Sequence, residues 1–166
     1  SMSFSRFAEM QLPTREEFNL VSLTKVVADI FKGDRHIDLV WHTDAQEIIV
    51  KGDSKAIKKA IAFVIRNGIN SVPNTRRPEI HISVSRSETS GIVQITDNGM
   101  EYDEEMLDNL FRPIFTEKDE DLGFGLSVAK MSIEYFGGNV WYRSEGLQGK
   151  TCYIQLPLLG PNSASF

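Results

Sequence analysis

Residues 79–86 (EIHISVSR) and 91–97 (GIVQITD) alternate apolar and polar side chains, and a short polar turn joins them. A period of two turns one face of each run toward a core and the other toward water. The pair therefore reads as a β-hairpin that needs a partner layer on one side. The sequence before it supplies that layer. Residues 53–72 carry Ala56, Ile57, Ala60, Ile61, Val64 and Ile65 at helical spacing, with Asp53 or Ser54 as N-cap and Pro73 as the stop. Residues 19–34 repeat apolar side chains at Leu20, Leu23, Val26, Val27, Ile30 and Phe31, and Gly33 closes that helix.

The remaining segments follow the same grammar. IDLVWH (37–42) and EIIV (47–50) read as strands between the two helices. After the hairpin come a short helix around 103–111, a charged stretch at 116–125, a helix over 126–136 stopped by Gly137 and Gly138, and two closing strands around the turn EGLQG. Strands that arrive in pairs imply hairpins. The expected fold is therefore α+β, a two-layer α/β sandwich whose mixed, largely antiparallel sheet has helices on one face. Rossmann and P-loop domains need regular strand-helix alternation and their own glycine fingerprints, and neither is present.

A chain of 166 residues is long enough for one domain with a sizeable core. Its net charge of -5 argues against general affinity for nucleic acid or anionic membrane, so no nucleic-acid partner is expected. Cys152 is the only cysteine, which excludes an internal disulfide and fits a reducing compartment. Within KTCYIQLPL it reads as a small core residue. Residues 1–13 read as the last turns of a preceding helix and a linker, 14–159 as the domain, and 160–166 as a flexible tail. The expected placement is cytoplasmic, which a membrane anchor elsewhere in a longer protein would not contradict.

Four stretches invite a chemical reading: RNGIN late in a helix, DNGM at a strand end, FRPIF before the charged loop, and GFGLSVAK opening a helix. In this order they resemble the ATP-binding domain of sensor histidine kinases, a family related to gyrase, the heat-shock chaperone ATPases and the mismatch-repair ATPases. LFRPIFTEK is similar to the kinases' phenylalanine box, GFGLSVAKMSIEYFGG to their second glycine box and helix, and GKTCYIQLPL to their final strand. The resemblance implies a Bergerat-type fold, ATP and Mg2+ as ligands, and transfer of the γ-phosphate to a histidine.

Each residue type has a physical reason. Asp97 at a strand end in a cleft is suited to accept a hydrogen bond from the exocyclic amine of adenine, because a buried acceptor left unmatched costs about 1–3 kcal/mol. Gly99 lets the backbone pass close to the base. Asn67 offers a neutral oxygen to Mg2+, which takes its other ligands from water and phosphate. Gly123, Phe124, Gly125 and Leu126 present backbone N–H groups at a helix start, where anions bind. Lys118 is within reach of phosphates, and the resemblance adds Asn70 and Thr151 to the nucleotide-binding set.

Glu101 and Asp121 stand where the kinases usually have glycines, and both add negative charge near a polyanion. They predict weaker or slower nucleotide binding with the pocket retained. Phe63 occupies the position where the water-using ATPases of the superfamily carry their general-base glutamate. A phenylalanine accepts no proton, so hydrolysis should be negligible. None of His36, His42 and His81 resembles a phosphoacceptor. The implied partners are a phosphoacceptor helix bundle in the same full-length protein and a response regulator, with a monomeric fragment and a homodimeric whole. The competing expectation, motivated by Glu101, Asp121 and Phe63, is a degenerate docking module of the same fold.

Overall fold

The computed structural model describes residues 14–113, 125–144, 146 and 148–160. Along the chain these form β1 (Glu16–Asn19), α1 (Leu20–Lys32), β2 (Asp38–Thr43), β3 (Ile49–Gly52) and α2 (Ser54–Asn70), then the hairpin β4 (Glu79–Arg86) and β5 (Ser90–Asp97). They continue as α3 (Glu104–Asn109), α4 (Ser127–Tyr135), β6 (Asn139–Ser144) and β7 (Lys150–Pro157). Five strands form one sheet in the order β2-β4-β5-β7-β6, in which β2 runs parallel to β4 and the other pairs are antiparallel. Helices α1, α2 and α4 lie on one face of it. The α+β two-layer expectation holds.

One pairing differs from the expected hairpins. β2 and β3 do not pair with each other: β3 joins β1, an unexpected strand, in a separate two-stranded antiparallel sheet. The reason is local to Asn19. Its side-chain oxygen caps α1 by accepting from the Val21 N–H and also accepts from the Ile48 N–H, both at 3.1 Å. The Leu20 N–H donates to the Ile48 carbonyl at 2.8 Å. These bonds fasten the start of β3 beside the β1–α1 junction. β2 is then left to pair with β4 through a long crossover that contains α2, as a parallel pair requires.

The core lies between the helices and the sheet. Ile61, Ile65 and Ala60 from α2 meet Ile80, Ile82, Val93, Ile95, Ile154 and Leu156 from the sheet, all buried. The α2 stripe is the expected one, and the Asp53 side chain caps that helix by accepting from the Lys55 and Ala56 N–H groups. In α1 the expected Leu20, Leu23 and Val27 are buried together with Val21, Thr24 and Ala28, whereas Val26 and Ile30, also expected inside, are 57% and 71% exposed. Cys152 is fully buried among these groups. Burial pushes its thiol pKa well up, against smaller lowering effects of the Tyr142 hydroxyl and the Lys150 ammonium. It is therefore an inert core thiol. Among the described residues no helix is long and apolar enough to cross a membrane.

Candidate nucleotide-binding site

The end of β5 and the last turns of α2 meet without a side chain between them. A Cβ on Gly68 would sit 2.9 Å from Asp97 Cβ and 3.1 Å from Ile80 Cδ1, so the helix approaches the strand closely because this position has none. That contact sets Asn67, one residue earlier, beside the same corner. Gly68→Ala is expected to lower stability by about 1–3 kcal/mol through overpacking. Urea unfolding should show it as a lower midpoint at unchanged slope.

Asp97 is 7% exposed and both its carboxylate oxygens are engaged. Oδ1 accepts from the Gly99 N–H at 2.9 Å, and Oδ2 lies 3.0 Å from Lys150 Nζ. Gly99 is needed for close approach, since a Cβ there would fall 1.9 Å from the Ser71 hydroxyl oxygen. The backbone beside it is tied on both sides. The Met100 N–H donates to the Ser71 carbonyl at 2.9 Å, and the Gly149 N–H donates to the Gly99 carbonyl at 2.8 Å. Gly149 has a φ of +83°, and a Cβ there would stand 2.2 Å from the Asp97 carbonyl oxygen, so this turn also requires glycine.

Asn67 turns toward Tyr102. Its Nδ2 donates a long hydrogen bond of 3.5 Å to the Tyr102 hydroxyl. Its Oδ1 is buried and has no hydrogen-bond partner among the described residues. A buried acceptor without a donor is costly unless a ligand completes it. A hard divalent cation that also takes water and phosphate oxygens fits this atom. The Tyr102 ring in turn lies 4.1 Å from Lys150 Nζ, so Asn67, Tyr102, Lys150 and Asp97 form one continuous wall.

Other expected site residues are placed differently. Asn70 is exposed and lines a groove of about 720 Å³ with His36, Arg76 and Arg77, a different opening from the Asp97 corner. Thr151 faces the opposite side of the sheet from Asp97, where its hydroxyl bonds that of Thr96 at 2.7 Å. Lys150, not Thr151, reaches the carboxylate. Gly125 has a φ of +64°, and α4 begins two residues later with no side-chain cap. The Leu126 N–H, expected to be free, donates to the Leu110 carbonyl at 3.4 Å. Lys118, Asp121, Gly123 and Phe124 lie outside the described residues. Glu101 is exposed.

Sequence reasoning missed Lys150, Tyr102, Ser71 and Gly68. Two of these had a signal. Cys152, Ile154 and Leu156 alternate inward along β7, which places Lys150 inward as well. Gly68 interrupts an otherwise strong helix, which favours a packing reason for a residue of low helix propensity.

A helix-borne amide with a buried oxygen and a strand-end carboxylate thus stand on one wall at a corner of an α+β sandwich. The profile of the histidine kinase-, DNA gyrase B- and HSP90-like ATPases matches residues 52–160, and the chain belongs to that family. ATP is accordingly the nucleotide of the family to which the fold belongs. The chain is 31% identical to sporulation kinase D of Bacillus subtilis (strain 168) over 162 residues, which cover 93% of this chain and 31% of that protein. It thus spans about a third of the length of that relative. The catalytic domain of the histidine kinase ThkA in a nucleotide-free form superposes with a TM-score of 0.71 at 26% identity, covering 87% of this chain and 97% of that one. ThkA in complex with the response regulator protein TrrA gives a TM-score of 0.73 at 23% identity, covering 94% of this chain and 46% of that one. The domain shared with these proteins is the ATP-binding catalytic domain of sensor histidine kinases.

Proposed function

We propose that this domain holds Mg-ATP between Asn67 and Asp97 and presents the γ-phosphate to a histidine outside the 166 residues. The observation that carries the reading is the buried Oδ1 of Asn67, without a partner among the described residues and one residue from the glycine that lets α2 touch Asp97. Asp97 would receive the exocyclic amine of adenine, and Gly99 would leave room for the ring. Asn67 would hold Mg2+, which supplies neutralisation of phosphate charge when bound. Gly123, Phe124, Gly125 and Lys118 belong to the proposed phosphate end, whereas Asn70 and Thr151 receive no support from their positions.

Phe63, one turn before Asn67, offers no group to activate water, so the terminal phosphate waits for an imidazole instead. The phosphoacceptor helix bundle is the proposed partner within a longer, homodimeric protein, with residues 1–13 leading from it into the domain at 14–159 and 160–166 as its tail. The exposed apolar pair Val26 and Ile30, one turn apart on α1, supports a docking face for that bundle. ThkA's complex with TrrA supports a response regulator as the next acceptor. A cytoplasmic placement goes with these partners.

A phosphotransfer assay tests the reading. With γ-labelled ATP and magnesium, a chain extended upstream through the phosphoacceptor helices is expected to gain acid-labile, base-stable label. The 166-residue chain alone should gain none and release no phosphate. Sustained phosphate release by the short chain would make it a water-using ATPase and overturn the proposal.

A further inference from the structure

Lys150 is the group on the corner that the proposed function leaves without a task. Its side chain is fully buried, which is rare for a lysine and requires that its charge be matched. The match is Asp97 Oδ2 at 3.0 Å. Nζ also donates to the Ser71 hydroxyl at 3.4 Å and lies 4.1 Å from the centre of the Tyr102 ring and 6.0 Å from that of Tyr142. A lysine has three donors and no acceptor, and these neighbours account for them. Asp97 Oδ1 is meanwhile taken by the Gly99 N–H. The carboxylate that would read the base therefore already has a partner on each oxygen, and one partner is a cation.

The register fixes this arrangement. Asp97 pairs directly with Lys150 across β5 and β7, so the two side chains leave the sheet on the same face. An adenine amine approaching Oδ2 meets the ammonium in its place. Oδ2 has a second lone pair, but an amine that takes this oxygen competes with the buried ammonium for it, and moving Lys150 disturbs the ring of Tyr102 that leads to Asn67.

We infer that Lys150 is an internal competitor for the base-reading carboxylate and thereby sets how tightly the site takes an adenine nucleotide. The inference rests on the assignment of Asp97 as the base reader. It differs in sign from the ordinary expectation for a lysine near a polyphosphate. A cation that simply attracts the ligand tightens binding, whereas one that occupies the ligand's partner weakens it.

Titration calorimetry of the 166-residue chain with a non-hydrolysable ATP analogue and magnesium, and separately with magnesium tripolyphosphate, which has no base, separates the two. Lys150→Met is expected to take the analogue about tenfold more tightly than the unaltered chain, the worth of one charged hydrogen bond. Tripolyphosphate should bind it no more tightly. Unchanged analogue affinity, a gain shared equally by both ligands, or weaker binding of both would each overturn the inference while leaving the nucleotide reading in place. No binding of the analogue by either chain would overturn the nucleotide reading itself, and the inference with it.

Because the substitution leaves Asp97 buried without its cation, a second measurement uses the unaltered protein. With lysine side chains labelled with nitrogen-15, the Lys150 ammonium resonance is expected to lose its ion-paired position as the analogue saturates the site. An unmoved resonance at saturation would overturn the inference.

Discussion

Asp97→Asn is expected to abolish binding of an ATP analogue and, separately, to destabilise the fold by about 3–5 kcal/mol, the cost of leaving a buried charge without its partner. The two effects have different origins. Binding is lost because the amide oxygen keeps the Gly99 N–H and an NH2 group takes the place of Oδ2, so a donor then faces the adenine amine, which is itself a donor. Stability is lost because Lys150, fully buried, loses its counter-ion. A double substitution pulls them apart. Asp97→Asn with Lys150→Met removes both charges, and a buried ion pair replaced by neutral groups is often close to neutral in stability. The double variant should therefore unfold near the unaltered chain's denaturant midpoint yet still fail to bind the analogue. Recovery of binding along with stability would show that Asp97 acts only through folding.

Asn67→Ala is expected to separate magnesium from nucleotide. The unaltered chain should bind the analogue more tightly with magnesium than without it. The variant should lose most of that difference, at least about tenfold, since even groups behind a metal's direct ligands act on this scale. Its stability should stay within about 1 kcal/mol of the unaltered chain. The reason is that Oδ1 has no partner to lose among the described residues, and removing a buried unsatisfied acceptor offsets the lost packing. The measurement is the ratio of analogue affinities with magnesium and with a chelator, for both chains. A ratio unchanged by the substitution would remove Asn67 from the metal's shell.

The parts of this molecule legible in its sequence are those that local periodicity controls. The α2 stripe from Ala56 to Ile65 is buried as its spacing requires, and 79–86 with 91–97 and 139–144 with 150–157 form the two hairpins. What periodicity does not carry is which strand finds which. β2 and β3 are neighbours in sequence, and their separation depends on Asn19 bonding both the Val21 and the Ile48 N–H groups, a tertiary arrangement. In α1 the spacing carries only part of the face: Leu20, Leu23 and Val27 are buried as it suggests, but Val21, Thr24 and Ala28 complete the inner side, so Val26 and Ile30 point outward.

At the site the same limit is one residue wide. Thr151 and Lys150 are adjacent in β7, and a shift of one position exchanges the faces of a sheet. Asp97, Gly99 and Asn67 were singled out from the sequence as binding residues, and the structure sets Gly99 against Asp97 and Asn67 beside the glycine that meets it. For Lys150 the alternation of β7 gave an inward position, but a lysine beside a glycine turn reads as solvated until the strand register shows its ammonium against a buried carboxylate.

In the proposed function Asp97 and Asn67 serve the two ends of one nucleotide. Nuclear magnetic resonance with Mn2+ in place of Mg2+ tests it most directly. The account predicts that the Asn67 side-chain amide signals broaden only when manganese and the ATP analogue are present together, while the Gly99 backbone amide shifts with the analogue whether or not metal is added. Broadening centred elsewhere in the domain, or a Gly99 amide that ignores the analogue, would contradict it.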